Sequence, residues 1–155
     1  MNIGIIVYSQ TGNTHTVAKR LQEKLMAAGH SVKIDQITIE GKTPAQHGQF
    51  TLVDVPVVDN YEVIIFGAPV QAFSLNPVMK SYLEQLPSLT GKKVACFATK
   101  HLPLLATGGK QAVASIKKAC ELKGATVVGS AIVIWSGAKR EQSINQSVEN
   151  LAKLF

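Results

Sequence analysis

Apolar residues along this chain fall into two alternating rhythms. The first is a set of short, nearly continuous runs, Ile3 to Tyr8 (IGIIVY), Val63 to Gly67, Val94 to Thr99 and Val127 to Ile134, of the kind found in strands covered on both faces. The second is helical spacing: Val17, Leu21 and Leu25 within Asn13 to Ala28; Met79, Tyr82, Leu83 and Leu86; Val113, Ile116 and Cys120 within Gly108 to Leu122; and Ile144, Val148, Leu151 and Phe155 at the end. Gly29, Pro87 and Gly124 stand where these helices should stop, and Asn76-Pro77 supplies a cap and first-turn proline for the second. Ser31 to Ile39 alternates imperfectly, as an edge strand would. Residues 40–61 carry Pro44, Gly48 and Pro56 without a helical period, which predicts irregular structure with a short strand near Phe50 to Val58.

Five strands alternating with four helices predict an α/β fold over residues 1–155 as one domain: a parallel sheet with helices on both faces. Right-handed crossovers leave the doubly wound order 2-1-3-4-5, whose switch point lies between the first and third strands. A ligand is then expected at the C-terminal ends of those strands.

The first strand ends in Ser9-Gln10-Thr11-Gly12-Asn13-Thr14 and passes straight into a helix. Backbone N–H groups, the positive end of a helix dipole and hydroxyl or amide side chains together suit a phosphate, although the same letters also serve as ordinary strand-to-helix caps. Other phosphate and metal motifs are missing. Gly108-Gly109-Lys110 has Leu104 where a P-loop needs its first glycine and Gln111 where it needs Ser or Thr, and no G-x-G-x-x-G occurs. The four histidines are dispersed, so no metal site is expected, and Tyr8 and Ser9 stand where a response regulator would need acids.

Charge and composition narrow the class further. The formal charge of +6 is scattered and only 6% of residues are aromatic, which argues against a nucleic-acid surface. No apolar run is long enough to cross a bilayer, and the strand pattern begins within two residues of Met1, so neither a membrane span nor a leader is expected. Cys96 and Cys120 fall on a buried strand and an inward helix face, which predicts structural thiols and a cytoplasmic address.

The loop S-Q-T-G-N-T after an apolar strand, followed by Val17-Ala18, resembles the FMN-phosphate loop of flavodoxins. The resemblance continues in Tyr61 to Val70 (YEVIIFGAPV) and Gly91 to Thr99 (GKKVACFAT), and so covers most of the chain. It implies a flavodoxin-like three-layer sandwich that binds FMN. The phosphate would be held by Ser9, Gln10, Thr11, Gly12, Asn13 and Thr14. The isoalloxazine ring would lie between the loop of Ala68, Pro69, Val70, Gln71, Ala72 and Phe73, running to Ser74, and a second loop from Thr99 through Lys100, His101 and Leu102 to Gly108 and Gly109. No protein catalytic residue is assigned, since the flavin would carry the chemistry.

Three departures from the flavodoxin pattern shape the expected function. Gln71 stands where relatives often carry Trp, leaving Phe73, His101 and aliphatic residues as ring contacts. No acid occurs between Glu62 and Glu84 or between Glu84 and Glu121, so the rim is neutral to positive, and an acidic redox partner or a small anionic electron donor or acceptor is expected. The loop Ala68 to Ser74 contains no glycine, which predicts a lean towards two-electron chemistry, because glycine eases the peptide flip that flavodoxins use beside the ring. The leading expectation is an electron carrier. The alternatives are an FMN-dependent NAD(P)H oxidoreductase reducing quinones or similar acceptors, and a binding module that keeps the fold without FMN.

Overall fold

The computed structural model describes residues 1–42, 49–101 and 108–155. In chain order the elements are β1 (Asn2–Val7), α1 (Asn13–Ala27), β2 (Ser31–Gln36), β3 (Thr38–Gly41), β4 (Phe50–Asp54), β5 (Val63–Gln71), β6 (Ser74–Leu75), α2 (Pro77–Gln85), β7 (Lys93–Lys100), α3 (Gly109–Leu122), β8 (Thr126–Ile134) and α4 (Arg140–Ala152). The five parallel strands lie in the order β2-β1-β5-β7-β8, which is the predicted 2-1-3-4-5 arrangement.

Helix ends form where the letters placed them. After α1 the N–H of Gly29 reaches the Met26 carbonyl at 3.0 Å and that of His30 reaches Leu25 at 3.2 Å, with Gly29 at φ 95°. Gly124 and Ala125 repeat the arrangement after α3, bonding Glu121 and Cys120. This paired motif satisfies the last carbonyls and requires a left-handed residue just beyond the helix. At α2 the Asn76 side-chain oxygen accepts from the Val78 N–H at 2.8 Å, with Pro77 in the first turn.

Two apolar layers sandwich the sheet. Ile3, Ile5, Val7, Val63, Ile65, Ala95 and Phe97 face α1 and α4, while Ile6, Ile64, Phe66, Val94, Cys96 and Ala98 face α2 and α3. Two glycines set the fit: a Cβ on Gly67 would stand 2.2 Å from the Phe97 ring, and one on Gly4 2.4 Å from Tyr61. Both cysteines are free and buried, as expected, and burial pushes each thiol up to about 12.

The structure corrects the sequence reading in three places. The expected strand Ser31 to Ile39 breaks at Ile37, a buried residue whose N–H bonds the Val7 carbonyl at 2.8 Å; the chain then leaves the sheet as β3. β3 pairs antiparallel with β4, so part of the segment read as irregular is a two-stranded ribbon, and the strand expected near Phe50 to Val58 ends at Asp54. β5 continues beyond Gly67 to Gln71 and folds back on β6, so the expected loop Ala68 to Ser74 is a strand end closed by a tight hairpin. Pro69 did not stop it, because the strand keeps pairing with β7 up to the Pro69 and Thr99 register.

Candidate functional site

The turn between β1 and α1 opens at the C-terminal ends of β5 and β7. Its geometry starts from Gly12, which precedes the helix at φ 92° with open space where a side chain would stand. Ser9 Oγ accepts from the His15 N–H at 3.2 Å, which closes the turn. Among the described residues the backbone N–H groups of Thr11, Gly12, Asn13 and Thr14 have no partner, and no acid lies in the first turn of α1. Four donors at the positive end of a helix form an anion cradle.

Thr14 has a different task from its neighbours. Its side chain is buried, and its hydroxyl pairs with that of Thr99 at 2.8 Å, tying the start of α1 to the end of β7. Gln10, Thr11 and Asn13 line a cleft of about 390 Å³ that begins at this turn.

The opposite wall of the cleft is Pro69, Val70, Gln71 and Ala72, and its floor is Thr99, Lys100 and His101. Gln71 is held by a 2.9 Å hydrogen bond from the buried Asn76 amide to its side-chain oxygen. Ala68 is buried in the core behind this wall. Ala72 and Phe73 occupy left-handed backbone conformations, at φ 48° and 63°, and form the two-residue turn between Gln71 and Ser74. Phe73 is 66% exposed and does not line the cleft. Its backbone instead lies against Gly108, where an added Cβ would meet the Phe73 carbonyl carbon at 2.3 Å. Lys100 is buried, and burial lowers its ammonium pKa. Leu102 lies outside the described residues.

One lining residue escaped the sequence reading. Trp135, immediately after β8, reaches the cleft because its N–H continues the ladder to the Lys100 carbonyl at 2.8 Å. The available signal was its place at the C-terminal end of a parallel strand, the edge where such sheets gather their ligands. Lys100 in the lining and Arg140 beside it, stacked on Trp135, put positive charge on this side of the mouth, and among the described residues no carboxylate lines the cleft. Two larger depressions, of about 700 and 710 Å³, lie along β8 with α4 and beside β2; neither borders the turn before α1.

A family model described as a flavodoxin domain matches residues 4–127. The chain belongs to the flavodoxin family. It is 28% identical over 134 residues to a flavodoxin of Megasphaera elsdenii, covering 84% of this chain and 85% of that one. The solution structure of the two-electron reduced flavodoxin from Megasphaera elsdenii superposes with a TM-score of 0.64 at 25% identity, covering 97% of this chain and 98% of that one. A flavodoxin from Streptococcus pneumonia TIGR4 gives a TM-score of 0.70 at 18% identity over the full length of both chains, and Trp repressor binding protein from Bacillus subtilis gives 0.69 at 14%, also over both full lengths; these two support the fold. Flavodoxins carry FMN as their cofactor. In this flavodoxin-family chain the unpaired N–H groups at α1 have the chemistry to receive a phosphate dianion.

Proposed function

We propose that this chain binds FMN in the cleft described above and serves as a redox carrier. The observation that carries the reading is that Thr11 and Asn13, from the turn of unpartnered backbone donors, line the same cleft as the ends of β5 and β7. In this reading Ser9 to Thr14 receive the phosphate. The ring lies between Pro69, Val70, Gln71 and Ala72 on one side and Thr99, Lys100 and His101 on the other. The flavin supplies the electron chemistry, and the protein binds it and sets its surroundings.

The test is titration of the apoprotein with FMN and, separately, with riboflavin. FMN is expected to bind stoichiometrically, while riboflavin, lacking the phosphate, binds at least about tenfold more weakly, the factor that a loss of 1.4 kcal/mol produces. Equal affinity for the two would sink the assignment of the first turn, and no binding of either would sink the whole reading.

The cationic, carboxylate-free mouth supports a partner with an acidic surface or a small anionic donor or acceptor. The same feature favours a second reading, an FMN-dependent NAD(P)H oxidoreductase reducing quinones, because a cationic rim also suits a phosphorylated nucleotide. Steady-state oxidation of NADPH by the holoprotein separates them: turnover with a quinone supports the enzyme, and its absence leaves the carrier. Two buried, free thiols and the absence, among the described residues, of a helix long and apolar enough to cross a membrane fit a cytoplasmic carrier.

A further inference from the structure

We infer that Trp135 is the aromatic contact for the bound flavin ring and that Arg140 is the residue that positions it. This rests on the FMN reading of the cleft and adds a residue from the fifth parallel strand to it. Among the described residues, Trp135 is the one Phe, Tyr or Trp that lines the cleft.

Trp135 is held at three points, by its backbone, by the apolar layer and by Arg140. Its backbone N–H donates to the Lys100 carbonyl at 2.8 Å, and the next N–H, of Ser136, donates to His101 at 3.1 Å, so β8 carries its pairing with β7 to the cleft mouth. Part of the ring packs on the apolar layer beneath β8 and part lines the cleft. From the first turn of α4, the Arg140 guanidinium stands 5.2 Å from the ring centroid while its Nε donates to the Trp135 carbonyl. One side chain thus holds the residue by backbone and by ring. A ring locked this way loses little freedom when a ligand packs on it, which is the condition for efficient stacking.

The chemistry matches. Indole is electron-rich and isoalloxazine electron-poor, and both are flat, so offset contact is favourable. The guanidinium lies on the indole, where the ring's negative face attracts it, and adds positive charge next to the ring site without entering it. Arg140 acts through Trp135 and through charge, so it is a positioning residue.

An indole in van der Waals contact with flavin also leaves an optical signature. On excitation of the flavin one electron passes from the indole to the ring and then returns, so emission is lost with no net reaction. The experiment compares holoproteins of the wild type, Trp135→Phe, Trp135→Leu and Arg140→Gln, reading the FMN dissociation constant and the emission yield of the bound flavin. Wild-type bound FMN is expected to be nearly dark. Trp135→Leu should weaken FMN by about tenfold, the factor for 1.4 kcal/mol within the usual range for an aromatic stack on a base. It should also restore bound-flavin emission several-fold. Trp135→Phe keeps a ring of similar shape that is harder to oxidise, so it should hold most of the affinity yet recover emission, which a merely structural role would not produce. Arg140→Gln should recover part of the emission.

Far-ultraviolet circular dichroism confirms that each variant is folded. Trp135→Phe that still binds FMN darkly with unchanged affinity would overturn the inference while leaving the FMN reading intact. Failure of the wild type to bind FMN would overturn both.

Discussion

Ala72 and Phe73 show how much strain two residues at this site absorb. Each holds a left-handed backbone that costs an L-residue with a Cβ roughly 1–2 kcal/mol. The turn is forced by its surroundings: Val70 pairs with Leu75, Gln71 pairs with Ser74, and the Asn76 amide fixes the Gln71 side chain. Hairpins of this shape ordinarily place Asn-Gly or Gly-Gly at the two central positions. Ala72→Gly is therefore expected to raise unfolding stability by about 0.5–1 kcal/mol, the relief of strain less the greater chain entropy of glycine. Urea unfolding checks it, and a loss of stability would show that the alanine side chain makes contacts worth more than the strain. The same variant tests the electron count in the holoprotein. If a rigid turn disfavours one-electron reduction, the glycine should increase the one-electron-reduced flavin that accumulates during photoreduction.

Between elements, the decisive contact is the buried hydroxyl pair that fastens α1 to β7. Thr14 and Thr99 are 1% and 4% exposed and lie 2.8 Å apart, so removing one strands the other in the interior. Thr99→Val should destabilise the apoprotein by about 1–3 kcal/mol, whereas the double variant Thr14→Val with Thr99→Val should lose less than the single one, because no orphaned hydroxyl remains. A double variant as unstable as the sum of the singles would refute that account. Sequence letters placed Thr14 and Thr99 in a common ligand region but could not reveal that they meet, since the contact depends on how far β7 runs in register beside β5 and on where the first turn of α1 settles. By contrast, the exposed ion pairs between α1 and α4, Arg20 with Glu141 and Lys24 with Glu149, hold side chains in water, where such pairs contribute little.

For the molecule as a whole, the titrating groups of the interior set an alkaline limit. Burial pushes the thiols of Cys96 and Cys120 up to about 12 and raises the phenols of Tyr8, Tyr61 and Tyr82, with the Asp35 carboxylate adding to the effect at Tyr61 and Tyr82. The folded protein therefore keeps protons that the unfolded chain sheds above the ordinary values of 9.0 for a thiol and 10.0 for a phenol. With fewer protons bound in the unfolded state, stability falls as the pH rises. Lys100, lowered by burial, works in the opposite direction, one group against five. The urea midpoint should hold steady up to about pH 9 and then drop progressively, each fully unequal group contributing about 1.4 kcal/mol per pH unit. A midpoint unchanged at about pH 11 would contradict the burial of these groups.

The amino-acid order alone determined the five parallel strands, the four helices, their stops at Gly29 and Gly124 and the strand-to-helix turn at Ser9 to Thr14. Each of these rests on local causes: periodicity, capping and the conformational freedom of glycine. The tertiary structure decided the β3–β4 ribbon, the hairpin that closes β5, the exposure of Phe73 and the arrival of Trp135 in the cleft. These depend on which strands become neighbours, and pairing across the sheet joins residues far apart in the chain. Trp135 reaches the cleft because the pairing with β7 runs past the end of β8 to Lys100 and His101, an extension that periodicity does not show.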